Sequence, residues 1–347
     1  MIKETHFEAS IPAERDGYAD YLKYVLISLV VLGHFINLYQ NTKGVGGLYT
    51  WIYTFHMPLF VFISGYFSKH ISNYRRKSID TLLWPFIVFQ LLNILYTAII
   101  PLEPLKENFF YPYHQNWYLI ALFWWRSFIP YHQFFKKWLV VALSFLLSLS
   151  IGFFPEWSGF MGLYKTAYFL PFFVLGVYCD DLSKFLSSLM KHKSLWLLVF
   201  VASLVAVFAL SLNANTLGMM NYAFKAEIGY GGEWPNLLLR SLAMIVSLVL
   251  CATVLFVVKM LYNWLKNRSM ALNGGGTMLC FLGHEFIMIP LIRVYATLGV
   301  IGLGLCIITS FIVTYFLTRK RIVDFFSPLL DLSKFCEITG IKIYKEQ

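Results

Sequence analysis

Ten stretches of about 17 to 23 mostly apolar residues divide this sequence, and each is long enough to cross a lipid bilayer as a helix. They lie near residues 22–40, 48–68, 80–100, 115–131, 138–154, 163–179, 195–212, 236–258, 277–295 and 297–318. Apolar residues make up 59% of the chain and charged residues only 13%, which is too little charge to cover a soluble protein of this length. The sequence therefore predicts an all-α, polytopic membrane protein with about ten transmembrane helices.

The lysine and arginine residues predict which side of the membrane each loop occupies. Most of the 28 lie in the amino-terminal segment, around the ends of the even-numbered spans and in the tail. The opposite ends hold only Lys43, Lys106, Lys165, Lys225, Arg240 and Arg293. By the positive-inside rule both termini are cytoplasmic. The predicted parts are a cytoplasmic segment (1–21), a membrane domain (22–318) and a cytoplasmic tail (319–347).

Two further expectations follow from the pattern of charge. The basic residues lie between apolar runs rather than in polar patches. We therefore expect a lipid bilayer as partner and no nucleic acid. About the first twenty residues are polar and carry acids as well as bases, so we expect no removable signal peptide.

The first span carries an ionisable residue, His34, near its middle. Lys23 lies eleven residues earlier, which is almost three helical turns, so both side chains share one face about 16 Å apart along the axis. An ionisable residue at that depth is costly in lipid and is by default a candidate functional residue. Asp20 lies one turn before Lys23 and can pair with it on a helix.

Further ionisable residues lie inside the second and ninth spans. His56 in the antiparallel second span lies about 18 Å from the cytoplasmic face, the same depth as His34. His284 and Glu285 form a neighbouring pair that could simply satisfy one another, and a lone membrane histidine could serve only to bond a neighbouring helix. We expect no metal site, because no His-x3-His or Cys-x2-Cys spacing occurs and adjacent residues point to different helix faces.

Several segments around these residues resemble the acyltransferase family 3 membrane proteins, most closely the branch typified by fucose 4-O-acetylases. The similar segments, which cover nearly the whole membrane part, are residues 15–34 (RDGYADYLKYVLISLVVLGH), 55–67 (FHMPLFVFISGYF), 82–89 (LLWPFIVF), 116–125 (NWYLIALFWW), 170–178 (LPFFVLGVY) and 275–284 (GGTMLCFLGH). The first two are fairly specific, whereas the later ones are mostly apolar.

The resemblance implies transfer of an acyl group, usually acetyl, from cytoplasmic acyl-coenzyme A (acyl-CoA) to a sugar hydroxyl. The acceptor would be a surface glycan or its lipid-linked precursor at a bacterial cytoplasmic membrane. Acyl-CoA would be a co-substrate, with no tightly bound cofactor. The essential family histidine corresponds to His34, as a general base or as a nucleophile. His56 would carry a second proton or stabilise the oxyanion.

The resemblance also implies a binding site for the donor phosphates at the cytoplasmic face. Many family members have arginine where this chain has Lys23, with Arg15 lying further upstream. Lysine keeps the charge but lacks the planar guanidinium, so Lys23, Arg15 or both could meet the phosphates. The basic run Arg75, Arg76 and Lys77 could bind phosphate, set the orientation in the membrane, or do both.

On the predicted outer side, aromatic and polar residues suit a sugar acceptor. The candidates are Trp117, Tyr118, Glu233 and Arg240. Each aromatic residue could equally belong to the ordinary interfacial belt of a membrane protein.

Two other classes of function compete with glycan acylation. One is a proton-coupled exporter of a glycan or small metabolite that uses buried His and Glu, although the two halves of the chain show no evident repeat. The other is an acyltransferase of the lipid- or protein-modifying kind, which the histidine in the first span argues against.

Overall fold

The computed structural model describes residues 17–69, 71, 74–100, 109–154, 159–224, 233–265 and 276–341, and helices form all the regular structure in these ranges. The α-helices are α1 (Gly17–Ile36), α2 (Val45–Ser68), α3 (Tyr74–Ser78), α4 (Trp84–Ile99), α5 (Trp117–Phe128), α6 (Lys137–Ser150), α7 (Leu163–Tyr178), α8 (Leu182–Lys191), α9 (Lys193–Ser211), α10 (Ala214–Phe224), α11 (Glu233–Leu265), α12 (Thr277–Ala296), α13 (Gly299–Leu317), α14 (Lys320–Leu330) and α15 (Leu332–Thr339). A π-helical turn precedes α4, and short 3-10 turns extend or connect several other helices. The predicted all-α class is confirmed for the described residues.

Seven helical segments among the described residues are both long and apolar enough to cross a membrane. They are 17–39, 75–99, 160–178, 193–211, 237–265, 277–296 and 299–317. The remaining predicted spans overlap α2, α5 and α6, but α5 and α6 have only 12 and 14 residues. Helices that short do not reach across a hydrocarbon core of about 30 Å. A multi-pass membrane protein is confirmed, while the count of ten spans stays a prediction.

Two glycines bring the backbones of α2 and α7 into direct contact. A Cβ atom on Gly65 would lie 2.2 Å from the carbonyl oxygen of Phe173, and one on Gly176 would lie 2.0 Å from that of Phe62. No side chain fits into these gaps, so the crossing requires glycine on both helices. Close approach through small residues is typical of helix pairs in lipid, where burial of apolar surface gives no driving force. The crossing fixes α2, and the histidine it carries, against α7.

The segment before α5 is tied into the bundle by a buried glutamine of α4. The Gln90 amide donates to the carbonyl oxygen of Tyr111 at 2.9 Å. Its Oε1 accepts from the backbone N–H of Tyr113 at 3.0 Å and from the Asn116 side chain at 3.1 Å. These bonds satisfy polar groups that would be costly to leave unpaired in the bundle. They also hold His114, which lies between the anchored residues, at a fixed depth.

Candidate active site

The carboxylate of Glu285 on α12 lies between two histidine rings from distant parts of the chain. Its Oε1 is 3.4 Å from Nδ1 of His34 on α1, and its Oε2 is 3.3 Å from Nδ1 of His114. The Glu285 side chain is 2% exposed, whereas those of His34 and His114 are 25% and 22% exposed. A buried acid is therefore flanked by two partly exposed imidazoles. The separations are slightly longer than those of ideal hydrogen bonds.

This geometry gives His34 the features of a carboxylate-supported base. A carboxylate at Nδ1 selects the tautomer that carries its proton there, and it stabilises the imidazolium that forms when Nε2 takes up a second proton. Because Glu285 is buried, water screens this attraction less than it would at the surface. With Nδ1 directed at the carboxylate, Nε2 of His34 is the ring atom left to accept a proton.

His284 engages the backbone of its own helix through one ring nitrogen. Its Nδ1 lies 2.9 Å from the carbonyl oxygen of Cys280 and must therefore carry the proton. Its ring meets that of His34 edge to face, with centroids 5.0 Å apart. Nε2 of His284 is buried and has no hydrogen-bond partner among the described residues. A buried acceptor thus lies close to His34.

His56 joins the same group of residues through a tyrosine. The Tyr53 ring lies 4.5 Å from the His56 ring and 6.4 Å from the His34 ring, measured between centroids. Nδ1 of His56 donates to the carbonyl oxygen of Ile52 at 2.9 Å, which leaves Nε2 as an acceptor. The predicted neighbourhood of His34 and His56 therefore exists, with Tyr53 adjacent to both rings.

His114 is the residue that sequence reasoning missed. It lies in a 3-10 turn (His114–Asn116) directly before α5, and its φ of 42° places it in the left-handed region. A residue other than glycine in that region costs about 1–3 kcal/mol, and such strain concentrates at functional sites. The adjacent Gln115 donates to the carbonyl oxygen of Phe281 on α12 at 2.8 Å, which holds the turn against the helix of Glu285.

We refer to His34, His56, His114, His284 and Glu285 together as the histidine cluster. It also contains donors of the kind that bind a divalent cation. One donor atom from each of His34, His284 and Glu285 lies within 4.8 Å of the others. Two histidines and a carboxylate resemble the ligand set of catalytic zinc sites. The sequence-based expectation of no metal stays a prediction.

The predicted donor-binding cations lie at one end of the bundle. The Lys23 ammonium is 4.4 Å from the centroid of the Phe67 ring, near the end of α2. Arg75, Arg76 and Lys77 follow on α3 and are exposed, with Nε of Arg76 3.7 Å from Oδ2 of Asp80. Arg15 lies outside the described residues.

The two aromatic candidates for the acceptor site are both buried. Trp117 stacks on Phe169, with ring centroids 5.4 Å apart, and lines a cavity of about 300 Å³ together with His114. The Tyr118 hydroxyl contacts Ser64 of α2 instead, and its ring packs against Phe281. Of the two, Trp117 therefore lies at an open space beside the histidine cluster, and Tyr118 lies in the helix packing.

Arg240 contacts groups of α6 and α7. Its guanidinium donates to the Tyr164 hydroxyl and to the carbonyl oxygen of Ser148, and it lies 5.0 Å from the centroid of the Tyr168 ring. This buried cation ties α11 to two neighbouring helices. Glu233 begins α11, and its side chain lies outside the described part.

Comparison with known proteins supports the resemblance carried by the motifs. Residues 16–319 match the acyltransferase 3 family, whose profile is described as an acyltransferase domain. Nodulation protein NolL of Sinorhizobium fredii (strain NBRC 101917 / NGR234) is 28% identical over 203 residues, which is 52% of this chain and 53% of that protein. Nodulation protein NolL of Mesorhizobium japonicum (strain LMG 29417 / CECT 9101 / MAFF 303099) is 44% identical over 59 residues, or 16% of each chain.

The alignments thus span about half of the first relative and less of the second. No solved structure matches the chain significantly. The family match, by contrast, extends from the start of α1 to the end of α13 and includes His34, His114 and Glu285. The chain therefore belongs to the acyltransferase 3 family, as one of its multi-pass membrane proteins.

Proposed function

We propose that the protein is an integral membrane O-acyltransferase that moves an acyl group, in the first instance acetyl, from cytoplasmic acyl-CoA to a hydroxyl of a surface glycan or its lipid-linked precursor. The observation that carries the proposal is the buried carboxylate of Glu285 between two partly exposed histidines. Family membership supports acyl transfer as the reaction class. The chemistry of the cluster supports a hydroxyl as the acceptor, because a hydroxyl needs a base to become a nucleophile.

In the proposed reaction, Nε2 of His34 takes the proton of the acceptor hydroxyl while the hydroxyl oxygen attacks the thioester carbonyl. A carbon–oxygen bond forms as the carbon–sulfur bond breaks. The proton on Nε2 then passes to the departing thiolate, so the products are the O-acylated sugar and free coenzyme A. Glu285 stabilises the transient imidazolium throughout. No oxidant or reductant is required.

The hydrogen bond of His56 favours one role for it within this scheme. Its Nδ1 proton is engaged by the Ile52 carbonyl oxygen, so Nε2 can accept a proton but has none to donate to an oxyanion. Of the two roles considered for His56, second proton carrier and oxyanion donor, this bond favours the first. The Tyr53 ring lies near the rings of both His56 and His34.

The donor enters this scheme from the predicted cytoplasmic face. Lys23 lies about 16 Å before His34 along the axis of α1, and the exposed basic residues of α3 follow the same end of α2. Phosphates bound there would leave the thin pantetheine arm to reach towards His34. The His34 side chain is 25% exposed, which is compatible with the approach of such an arm. A bacterial cytoplasmic membrane meets the need for coenzyme A on one side and surface glycan on the other.

The test is acyl transfer by the purified protein in liposomes, given radiolabelled acetyl-CoA and glycan from the host cell. We expect His34→Ala to insert and fold normally and to lose at least about 100-fold in rate, the contribution of a positioned base. The matched control is His192→Ala, since His192 is exposed at the junction of α8 and α9. Transfer by His34→Ala at the wild-type rate would exclude this mechanism. Glycan transport without any acyl transfer would instead favour an exporter.

A further inference from the structure

The cavity beside Trp117 is built from two segments that a hydrogen bond holds together. It has a volume of about 300 Å³, and its walls include Tyr111, His114, Trp117 and Lys165. The backbone N–H of Met161 donates to the carbonyl oxygen of Phe110 at 2.7 Å, which joins the segment before α7 to the segment before α5. Both segments lie on the predicted outer side, where an acceptor glycan would arrive.

Two glycines shape one wall of this cavity. A Cβ on Gly159 would lie 2.3 Å from a ring carbon of Tyr111, so any other residue there would displace the ring. Gly162 has a φ of +64°, and a Cβ on it would lie 2.8 Å from the Cβ of Trp117. The backbone of 159–162 therefore lies directly against the aromatic residues and leaves the space in front of them open.

One residue separates this cavity from the catalytic cluster. His114 lines the cavity, while its Nδ1 lies 3.3 Å from Oε2 of Glu285. The other oxygen of Glu285 lies 3.4 Å from Nδ1 of His34. A molecule in the cavity can thus contact His114, whose other side faces the carboxylate that supports the proposed base.

The lining also specifies the chemistry of the occupant. The Lys165 ammonium lies 5.3 Å from the centroid of the Trp117 ring, within the range of a cation–π interaction, which positions the charge at the cavity. Tyr111 is 40% exposed and offers an aromatic surface and a hydroxyl to a sugar ring. An ammonium at the wall of the cavity favours a ligand with a negative group.

We propose that this cavity is the acceptor site and that it takes a sugar bearing an anionic group, either a carboxylate or a phosphate. The inference rests on the proposed acyl transfer and adds the substrate class. The anionic group meets Lys165, the sugar ring lies on Tyr111, and a hydroxyl of the same or the next sugar reaches the histidine cluster past His114.

The test compares direct binding and transfer for four probes: a glucuronate oligosaccharide, a galacturonate oligosaccharide, a sugar phosphate and a neutral glucose oligosaccharide of the same length. Binding is measured by calorimetry on the purified, detergent-solubilised protein without acyl-CoA. We expect wild-type protein to bind at least one anionic probe more tightly than the neutral one. Comparison of the two uronate probes with the sugar phosphate identifies which anionic group is recognised.

Lys165→Gln should weaken binding of the preferred anionic probe by roughly 10- to 100-fold, the effect of losing a hydrogen bond to a charged group. Its affinity for the neutral probe should be unchanged, and Lys165→Arg should restore most of the anionic preference. In transfer assays the loss should appear in KM for the acceptor rather than in kcat. Lys43→Gln is the matched control, because Lys43 is an exposed lysine on the same predicted side.

Equal binding of the anionic and neutral probes by wild-type protein, or equal effects of Lys165→Gln on both, would overturn the inference. Failure to bind any of the four probes would overturn it as well. Selective binding of an anionic probe with no acyl transfer to any acceptor would retain the site and reject the proposed reaction, so the two failures are distinct.

Discussion

Replacement of Glu285 by glutamine tests the proposed support of His34 most directly. Glutamine keeps the size of the side chain but removes its negative charge, and its amide can present a donor to His34 Nδ1 where the carboxylate presents an acceptor. At 3.4 Å, an imidazolium and a carboxylate attract by about 5 kcal/mol for an effective dielectric constant of about 20. This figure is an upper limit, because His34 is partly exposed to solvent.

A loss of about 5 kcal/mol from the transition state corresponds to between three and four decades in rate. We therefore expect Glu285→Gln to lower kcat by about 100- to 10,000-fold while leaving KM for acetyl-CoA nearly unchanged. The assay measures initial rates in liposomes over a range of acetyl-CoA concentrations. Thermal unfolding and gel filtration of the same preparations establish that the variant is folded.

Two comparison variants sharpen this result. Glu337→Gln removes a carboxylate that pairs with Lys334 at 3.1 Å on α15, outside the cluster, and should leave kcat unchanged. Glu285→Asp keeps the charge but shortens the side chain, so its kcat should lie between those of the wild type and the glutamine variant. A Glu285→Gln protein that is folded and turns over at the wild-type rate would refute the role of the carboxylate.

Three further perturbations test the packing of α2 against α7, the buried Arg240 and the expected absence of a metal site. Gly176→Leu would overlap the carbonyl oxygen of Phe62 and should prevent recovery of folded protein from detergent extracts, whereas Gly304→Leu, where a Cβ meets nothing within 4 Å, should be recovered normally. Arg240→Met removes the donor to the Tyr164 hydroxyl and should lower the free energy of unfolding by about 1–3 kcal/mol, measured by thermal unfolding. KM for the acceptor should be unchanged. A raised KM would instead support the predicted role of Arg240 in binding the acceptor. Dialysis against a chelator should leave the transfer rate unchanged, and a stoichiometric metal whose removal abolishes transfer would contradict the expectation of no metal site.

The helices were predictable because the bilayer constrains them so strongly. Runs of about twenty apolar residues bounded by charges seldom form anything other than membrane helices. Every predicted span overlaps a helix of the structure. The short helices α5 and α6 show where this reasoning weakens, since hydropathy cannot decide whether a helix of 12 or 14 residues spans the membrane or is packed within a bundle.

The candidate active site was only partly predictable. The depth of His34 within one helix follows from counting residues, and its neighbourhood with His56 follows from an antiparallel pair of adjacent spans. The contact between His34 and Glu285 depends on which distant helix packs against α1, and a single sequence carries no signal for that choice. Adjacency along the chain suggests only that Glu285 and His284 could satisfy one another.

His114 lay beyond the reach of the same reasoning for a different reason. It precedes a span, carries no helical periodicity, and reaches Glu285 only because a left-handed backbone conformation and the bonds of Gln90 hold its turn inside the bundle. The closest signal in the sequence was its position beside Gln115 and Asn116, three polar residues in succession at the edge of an apolar run.

The contact between α2 and α7 has a consequence for movement during turnover. Packed helices shift past one another by changing side-chain rotamers at their interface, but at Gly65 and Gly176 there are no side chains to adjust. The two helices therefore behave as one rigid unit, with His56 on α2 and Lys165 on α7. Rearrangements that admit a donor or release a product must therefore occur at the other helix contacts. The α2–α7 pair stays fixed, and α12 with its carboxylate is positioned relative to that pair.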